Sequence, residues 1–157
     1  MMRQLFLLLA LMVGLAASAQ DVETLYDEGK ALYDKKEYKA AIQKLLPAAQ
    51  QGHKKAQYRM GRCYDKGYGV LEDNDKAFSW YQKSAQQGYY KAEYQMARCY
   101  IKGKGVTPND QKALEWVKKA IGGKKHGAEM LQEIKDEAAA GDKTDKKLLK
   151  LLGKRQK

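Results

Sequence analysis

A tyrosine and a cation four residues apart recur three times in this sequence, and they are the side chains best suited to binding chemistry. Residues four apart lie on the same face of a helix. A tyrosine ring offers amphipathic contact area, and an arginine or lysine can bind a carboxylate or a backbone carbonyl. The pattern predicts a binding face for an extended or helical peptide with acidic groups. Its residues are Tyr26, Lys30, Tyr58, Arg62, Tyr94 and Arg98.

Catalysis and metal binding have no comparable pattern in the sequence. Serine is scarce, and no nucleophile, base and acid occur in a recognisable arrangement. His53 and His126 lie in predicted turns without ligands at metal spacing. The GYGV and GKGV segments lack the preceding strand and the following Lys-Ser/Thr of a phosphate loop. We therefore expect no enzyme activity, cofactor, metal or small-molecule substrate. For the tyrosine–cation pairs, packing between helices with solvated cations stays open as the alternative.

The elements that position these residues come from an internal repeat. Residues 56–91 and 92–127 align at an offset of 36 residues. Self-similarity at this period predicts stacked units, because each unit is too small to bury its own apolar face. Helix-favouring residues dominate and strand patterns are nearly absent, which predicts an all-α fold. Matching positions include Ala56 and Ala92, Met60 and Met96, Cys63 and Cys99, Gly67 and Gly103, and Trp80 and Trp116.

Each unit is predicted to consist of helix A, a loop and helix B. A shortened first unit covers 20–55, with DKKEY where the others have KGYGV and KGKGV. Thr107 and Pro108 are a typical helix start. Residues 128–139 are predicted to be one more helix A with no helix B behind it, forming a cap over 128–140. The six other predicted helices cover about 22–33, 38–50, 55–65, 73–86, 91–101 and 108–120.

The predicted buried faces alternate small and large residues, which suits close packing of antiparallel helices. Trp80 and Trp116 are predicted to be core residues. Cys63 and Cys99 occupy equivalent positions, so neighbouring helices would hold them about 8–10 Å apart. A disulfide needs Cα atoms within about 7 Å. We therefore expect two buried free thiols.

The spacing of the repeated residues is specific enough to resemble a known family. The pattern A-x-Y-x-M-G-x-C-Y-x-x-G-x-G-V, followed by D-x-x-x-A-x-x-W-Y-x-K-x-A-x-x-G, resembles the Sel-one-like repeat, a relative of the tetratricopeptide repeat. The resemblance covers about 25–128. It implies a short right-handed α-α solenoid of antiparallel helix pairs, with helices A lining a concave face and a C-terminal capping helix. It also implies an adaptor or scaffold role in protein complexes.

Some exported members of that family are rich in cysteine and have been linked to β-lactam binding. Those members carry a pair of cysteines per repeat, whereas this chain carries one. The resemblance therefore does not extend to that activity, and a cell-wall or β-lactam-related hydrolase is the least favoured reading.

The N-terminal residues 1–19 have the pattern of a secretory signal peptide. Arg3 precedes an apolar run over about 5–16, and the small residues Ala17, Ser18 and Ala19 follow it. We expect cleavage after Ala19 and an exported product that is periplasmic or secreted. An uncleaved membrane anchor is the alternative.

The C-terminal residues 141–157 form a basic tail. The whole chain has 30 Lys+Arg against 19 Asp+Glu, a formal charge of +11, which favours anionic partners or a well-solvated lysine surface. Export disfavours nucleic acid. Three outcomes stay open for the tail: docking on the last repeat, disorder, or contact of 143–157 with an anionic membrane or polymer, as in an envelope-surface protein. The leucines that decide between them are Leu148, Leu149, Leu151 and Leu152.

Overall fold

The computed structural model describes residues 21–154, which form eight α-helices and no strand. The predicted signal peptide over 1–19 lies outside the described residues. Every helix expected from the sequence is present within two residues of its predicted bounds. The helices are α1 (21–34), α2 (Tyr38–Gln50), α3 (Lys54–Lys66), α4 (Asn74–Gln86), α5 (Tyr90–Lys102), α6 (Asp110–Gly122), α7 (Gly127–Ala139) and α8 (Lys143–Gly153).

The helices pack in chain order as antiparallel pairs. From α2 to α6, each helix packs on the next one along the chain. The odd-numbered helices are helices A and the even-numbered ones are helices B. Side chains between these two layers form the core, with Leu45, Met60, Tyr81, Met96 and Val117 almost fully buried. The fold is an α-solenoid, which confirms the predicted fold class.

A glycine-containing loop sets the stacking distance between units. Gly67 and Gly103 end α3 and α5 in the left-handed conformation, with φ of 66° and 70°, which glycine adopts with little strain. Gly105 follows with φ of 65°. A β-carbon at Gly105 would lie 2.3 Å from the carbonyl oxygen of Asn74 in the preceding unit. Only glycine therefore lets this loop pack directly on α4.

Helix α6 begins later than predicted. The side chain of Asn109 accepts a hydrogen bond from the backbone N–H of Lys112 at 2.9 Å, so Asn109 caps the helix and Asp110 is its first residue. The predicted start at Thr107 and Pro108 is wrong. Pro108 instead packs against Gly103 in the loop.

Helix α8 is formed by the C-terminal tail and follows the predicted capping helix. The prediction that no helix B follows the helix at 128–139 is wrong, because α8 packs on α5, α6 and α7. Leu148 is fully buried, and Leu149, Leu151 and Leu152 pack against the same core cluster. Of the three outcomes left open for the tail, docking is the one observed over 143–153.

Two other groups of predicted core residues differ in their burial. Cys63 and Cys99 are buried free thiols, as expected. Burial raises the pKa of Cys63 to about 11 and that of Cys99 to about 12, so both behave as small apolar residues at neutral pH.

Trp80 and Trp116 lie half-buried at the edge of the core rather than inside it. The ammonium groups of the lysines three residues later lie 4.6 and 4.3 Å from their ring centroids.

Helices A and B are in close contact at a small residue of helix A. A β-carbon at Gly61 would lie 2.5 Å from the ring of Tyr81, which is almost fully buried. One repeat later the equivalent residues are Ala97 and Val117, a larger residue on helix A with a smaller one on helix B. Because protein interiors are close-packed, the two positions must share one volume.

This contact predicts a compensating pair of substitutions. Gly61→Ala should lower the free energy of unfolding by about 1–3 kcal/mol, because the ring of Tyr81 has no room to move. Gly61→Ala with Tyr81→Val should lose less than the sum of the two single variants, because it reproduces the Ala97 and Val117 pair. Urea unfolding followed by circular dichroism measures all three.

Gly153→Ala is the control, since a β-carbon there meets no atom within 4 Å. Strictly additive losses in the double variant would show that the two positions do not share volume.

Candidate functional site

Helices α3, α5 and α7 line one groove, which holds a cavity of about 260 Å³. Helix α3 contributes Arg62 and Lys66, and α5 contributes Tyr94, Arg98 and Lys102. Three of the six residues predicted to bind a partner therefore lie around a single cavity.

Each arginine of the groove is held by the tyrosine one helical turn before it. Arg62 Nη1 donates a hydrogen bond to Tyr58 Oη at 3.3 Å, and Arg98 Nη1 donates to Tyr94 Oη at 2.9 Å. The spacing of four residues places both members on one face of the helix. The phenol therefore orients the guanidinium before any partner arrives.

Two carboxylates at the start of α8 bind the arginine of the third unit, Arg98. Arg98 Nη2 donates to Asp142 Oδ2 at 2.7 Å, and Arg98 Nη1 donates to Asp145 Oδ2. Tyr94 Oη donates to Asp145 Oδ1 at 2.8 Å. Asp145 is fully buried, and a buried carboxylate is strongly unfavourable unless it is paired and hydrogen-bonded. Tyr94 and Arg98 are the pair that allows α8 to dock.

Asp142 also caps α8. Its Oδ1 accepts hydrogen bonds from the backbone N–H groups of Thr144 at 2.7 Å and Asp145 at 3.1 Å. Burial raises the pKa of Asp142, but the hydrogen bonds from Arg98 and from these amides outweigh it, and the pKa lies well below its ordinary value. Sequence reasoning missed both aspartates. The available signal was an aspartate directly after Gly141 and before a run of leucines, a typical helix start.

The arginine of the second unit has no such carboxylate. Arg62 forms no ion pair with any residue of the described range 21–154, and its Nε is buried without a hydrogen-bond partner. The hydroxyl of Tyr81 is also buried and unpartnered, and it lines the same groove.

The pair predicted in the first unit lies apart from the groove. Tyr26 is buried, and its ring centroid lies 4.2 Å from that of His53. Lys30 is exposed and pairs with Asp34 at 2.8 Å. For this unit the alternative of packing and solvation describes the geometry better than a binding face does.

The groove carries an excess of positive charge, because five cations and three carboxylates line it. Asp65 is already bound by Lys104 at 2.8 Å. Burial and repulsion from neighbouring cations lower the pKa of Lys102. Glu133 and Glu137 lie on the α7 wall, exposed and in no ion pair with another described residue. The free positive charge is concentrated along α3 and α5.

The family model described as Sel1 repeat matches residues 54–89 and 91–121, which contain α3 to α6 and the loops between them. This chain is a Sel1-like repeat protein. The result confirms the resemblance to the Sel-one-like repeat. No curated protein sequence matches the chain.

Two solved structures resemble this Sel1-like repeat protein. A Sel1 repeat protein from Oxalobacter formigenes has 31% sequence identity and a TM-score of 0.59, over 76% of this chain and 57% of its own. A protective antigen present in uropathogenic Escherichia coli strains, displaying an SLR fold, has 26% identity and a TM-score of 0.66 over 86% of this chain. The present chain spans only 30% of that antigen.

Proteins built from Sel1 repeats are typically non-enzymatic scaffolds that mediate protein–protein interaction. In this Sel1-like repeat protein, arginines, lysines and the tyrosines Tyr81 and Tyr94 line the groove. None of the helices within residues 21–154 is long and apolar enough to cross a membrane.

The Asp142 contacts predict a pH-dependent loss of stability. The pKa of Asp142 is lower in the folded than in the unfolded chain, so the stability from its charge is complete above its ordinary pKa of 3.8 and is lost as the pH falls toward the folded-state value. Asp142→Asn should lower the free energy of unfolding by about 1–2 kcal/mol at pH 7, with a smaller difference below about pH 4. Urea unfolding at several pH values measures this difference.

The control is Asp75→Asn, which removes an exposed carboxylate in the first turn of α4 and should change stability little. A difference for Asp142→Asn that is equally large at pH 7 and pH 3 would contradict the assigned role.

Proposed function

We propose that this protein is an exported interaction module that binds an acidic segment of a partner protein in its groove. The observation that carries the proposal is Arg62. Its guanidinium is half-buried and oriented by Tyr58, yet it pairs with no carboxylate among residues 21–154. A buried cation of this kind is favourable when a ligand supplies the missing negative charge.

The chain itself provides an example of this mode of binding. Arg98 and Tyr94 hold two carboxylates of α8, so a tyrosine–arginine pair on a helix A can accept an acidic segment in this fold. Because helix pairs hold the groove before binding, little conformational entropy is lost on association. The surrounding lysines would accelerate the encounter with an acidic partner.

The rival role, attachment to an anionic envelope surface through the tail, has less support. The leucines of α8 pack into the core, so they would have to leave it to enter a lipid surface. Among the described tail residues, Lys143, Lys146, Lys150 and Lys154 are exposed and in no ion pair with another described residue, so they remain open to contact with an anionic polymer. The hydrolase reading gains nothing from the two thiols, because burial raises the pKa of both.

Loss of the Arg62 guanidinium should abolish partner capture. In a crosslinking pull-down with chain 20–157, Arg62→Ala should lose the proteins that the parent captures, because it removes the half-buried guanidinium that pairs with no carboxylate among residues 21–154. The control is Lys119→Ala, which removes one positive charge from the edge of Trp116, outside the groove. Circular dichroism checks that both variants keep their helices. Equal capture by the parent and by a folded Arg62→Ala variant would refute the groove as the working site.

Export predicts a processed chain outside the cytoplasm. Cell fractionation and N-terminal sequencing of the expressed full chain should find a product that begins at Gln20 in the periplasm or medium. An unprocessed chain confined to the cytoplasm would refute this part of the proposal.

A further inference from the structure

We propose that Arg62 and Tyr81 form a carboxylate site for an aspartate in the first turn of a partner's helix. The inference rests on the proposed function and deepens it, because it names the chemical group and the structural element that the groove recognises.

The third unit supplies the template. Arg98 receives two aspartates, Asp142 and Asp145, which lie three residues apart at the start of α8. Arg62 is the residue equivalent to Arg98 one repeat earlier, and it makes the same hydrogen bond to its own tyrosine. The same pair of groups in the same local geometry should accept the same kind of ligand.

The second unit contains unpaired polar atoms on residues that line the same groove. Three buried polar side-chain atoms within the described range have no hydrogen-bond partner, and two of them, Arg62 Nε and Tyr81 Oη, belong to residues that line the groove. The side chain of Tyr81 is only 1% exposed. Native proteins leave few such atoms unpaired, so two on one cavity indicate a group that arrives from outside. A carboxylate can accept a hydrogen bond from a guanidinium and from a phenol at once, as Asp145 does from Arg98 and Tyr94. The equivalent of Tyr94 in the second unit is Tyr58, but the phenol whose hydroxyl has no partner there is that of Tyr81.

The charges around the cavity favour a helix start over an extended polyanion. Lys102 lines the same cavity as Arg62, forms no ion pair with another described residue, and can meet a second carboxylate three residues away from the first, whereas Lys66 already pairs with Asp65 at 3.4 Å. Glu133 and Glu137 line the opposite wall and would repel a ligand with a continuous run of negative charge. The start of helix α8 has two separated carboxylates rather than a continuous run of them, because a lysine and a threonine lie between its two aspartates. A cavity of about 260 Å³ has room for a side chain and its neighbours.

The test uses a fluorescein-labelled helical peptide that begins Asp-Ala-Lys-Asp, and a matched peptide that begins Asn-Ala-Lys-Asn. Fluorescence anisotropy with the whole mature chain should show binding of the aspartate peptide that is at least about tenfold tighter than binding of its asparagine counterpart. Arg62→Gln should lower the affinity for the aspartate peptide by about tenfold. Arg62→Lys should also lower this affinity, because lysine keeps the charge but not the planar set of donors.

Tyr81→Phe separates the binding role from a structural one. It removes only the unpartnered hydroxyl, so the thermal midpoint should be unchanged or higher, whereas peptide affinity should fall about threefold. Lys119→Gln is the charge-matched control, and it should leave the affinity unchanged.

Three results would overturn the inference: no saturable binding, equal affinity for the two peptides, or full affinity in Arg62→Gln. The last of these would place the peptide on Arg98 after displacement of α8. Competition by free acetate at the same concentration as the peptide would overturn it too, because the site would then bind small carboxylates. The pull-down with Arg62→Ala measures capture of partner proteins rather than affinity for this peptide, so the proposed function can stand when this inference fails.

Discussion

The close contact between helix A and helix B within each unit is the constraint on which this structure depends. A β-carbon at Gly61 would meet the ring of Tyr81 at 2.5 Å, and one at Gly29 would meet the side chain of Leu45 at 2.8 Å. In these two units a small residue on helix A and a large one on helix B thus bring the two layers together. Because this contact recurs, the helices A form one layer, and their outer faces meet in the groove.

Tyr81 links this constraint to function. Its ring fills the space above Gly61, and its hydroxyl is buried without a hydrogen-bond partner although the residue lines the groove. The residue that determines how closely the helices pack therefore also brings an unpartnered hydroxyl to a residue position that lines the groove. The equivalent residue of the next unit is Val117, which offers no such group. The two repeats thus have the same backbone arrangement and different surface chemistry.

The C-terminal end shows how a short solenoid closes its exposed core. The last helix pair needs an apolar cover, and the leucines of α8 provide it. Their docking also buries Asp145, whose carboxylate is stabilised only because Tyr94 and Arg98 satisfy it. Apolar burial and a satisfied polar network act together here. Without the docked leucines the apolar core would be exposed, and without Tyr94 and Arg98 the buried carboxylate of Asp145 would be unpaired. The tyrosine–arginine pair of the third unit is therefore part of the fold, whereas the arginine of the second unit forms no ion pair with a described residue.

The sequence by itself determined the helices, the repeat and the family. Apolar periodicity and left-handed glycines are local signals, so the expected helices agree with the observed ones within two residues. It could not determine where the tail would go, because leucines on one side of a basic helix suit docking and membrane contact equally. It also could not show which tyrosine–cation pair was occupied. Asp145 lies 47 residues from Arg98 along the chain, and only tertiary packing brings the two together. Local periodicity reports which face a side chain is on, whereas its partners depend on how distant segments meet in space.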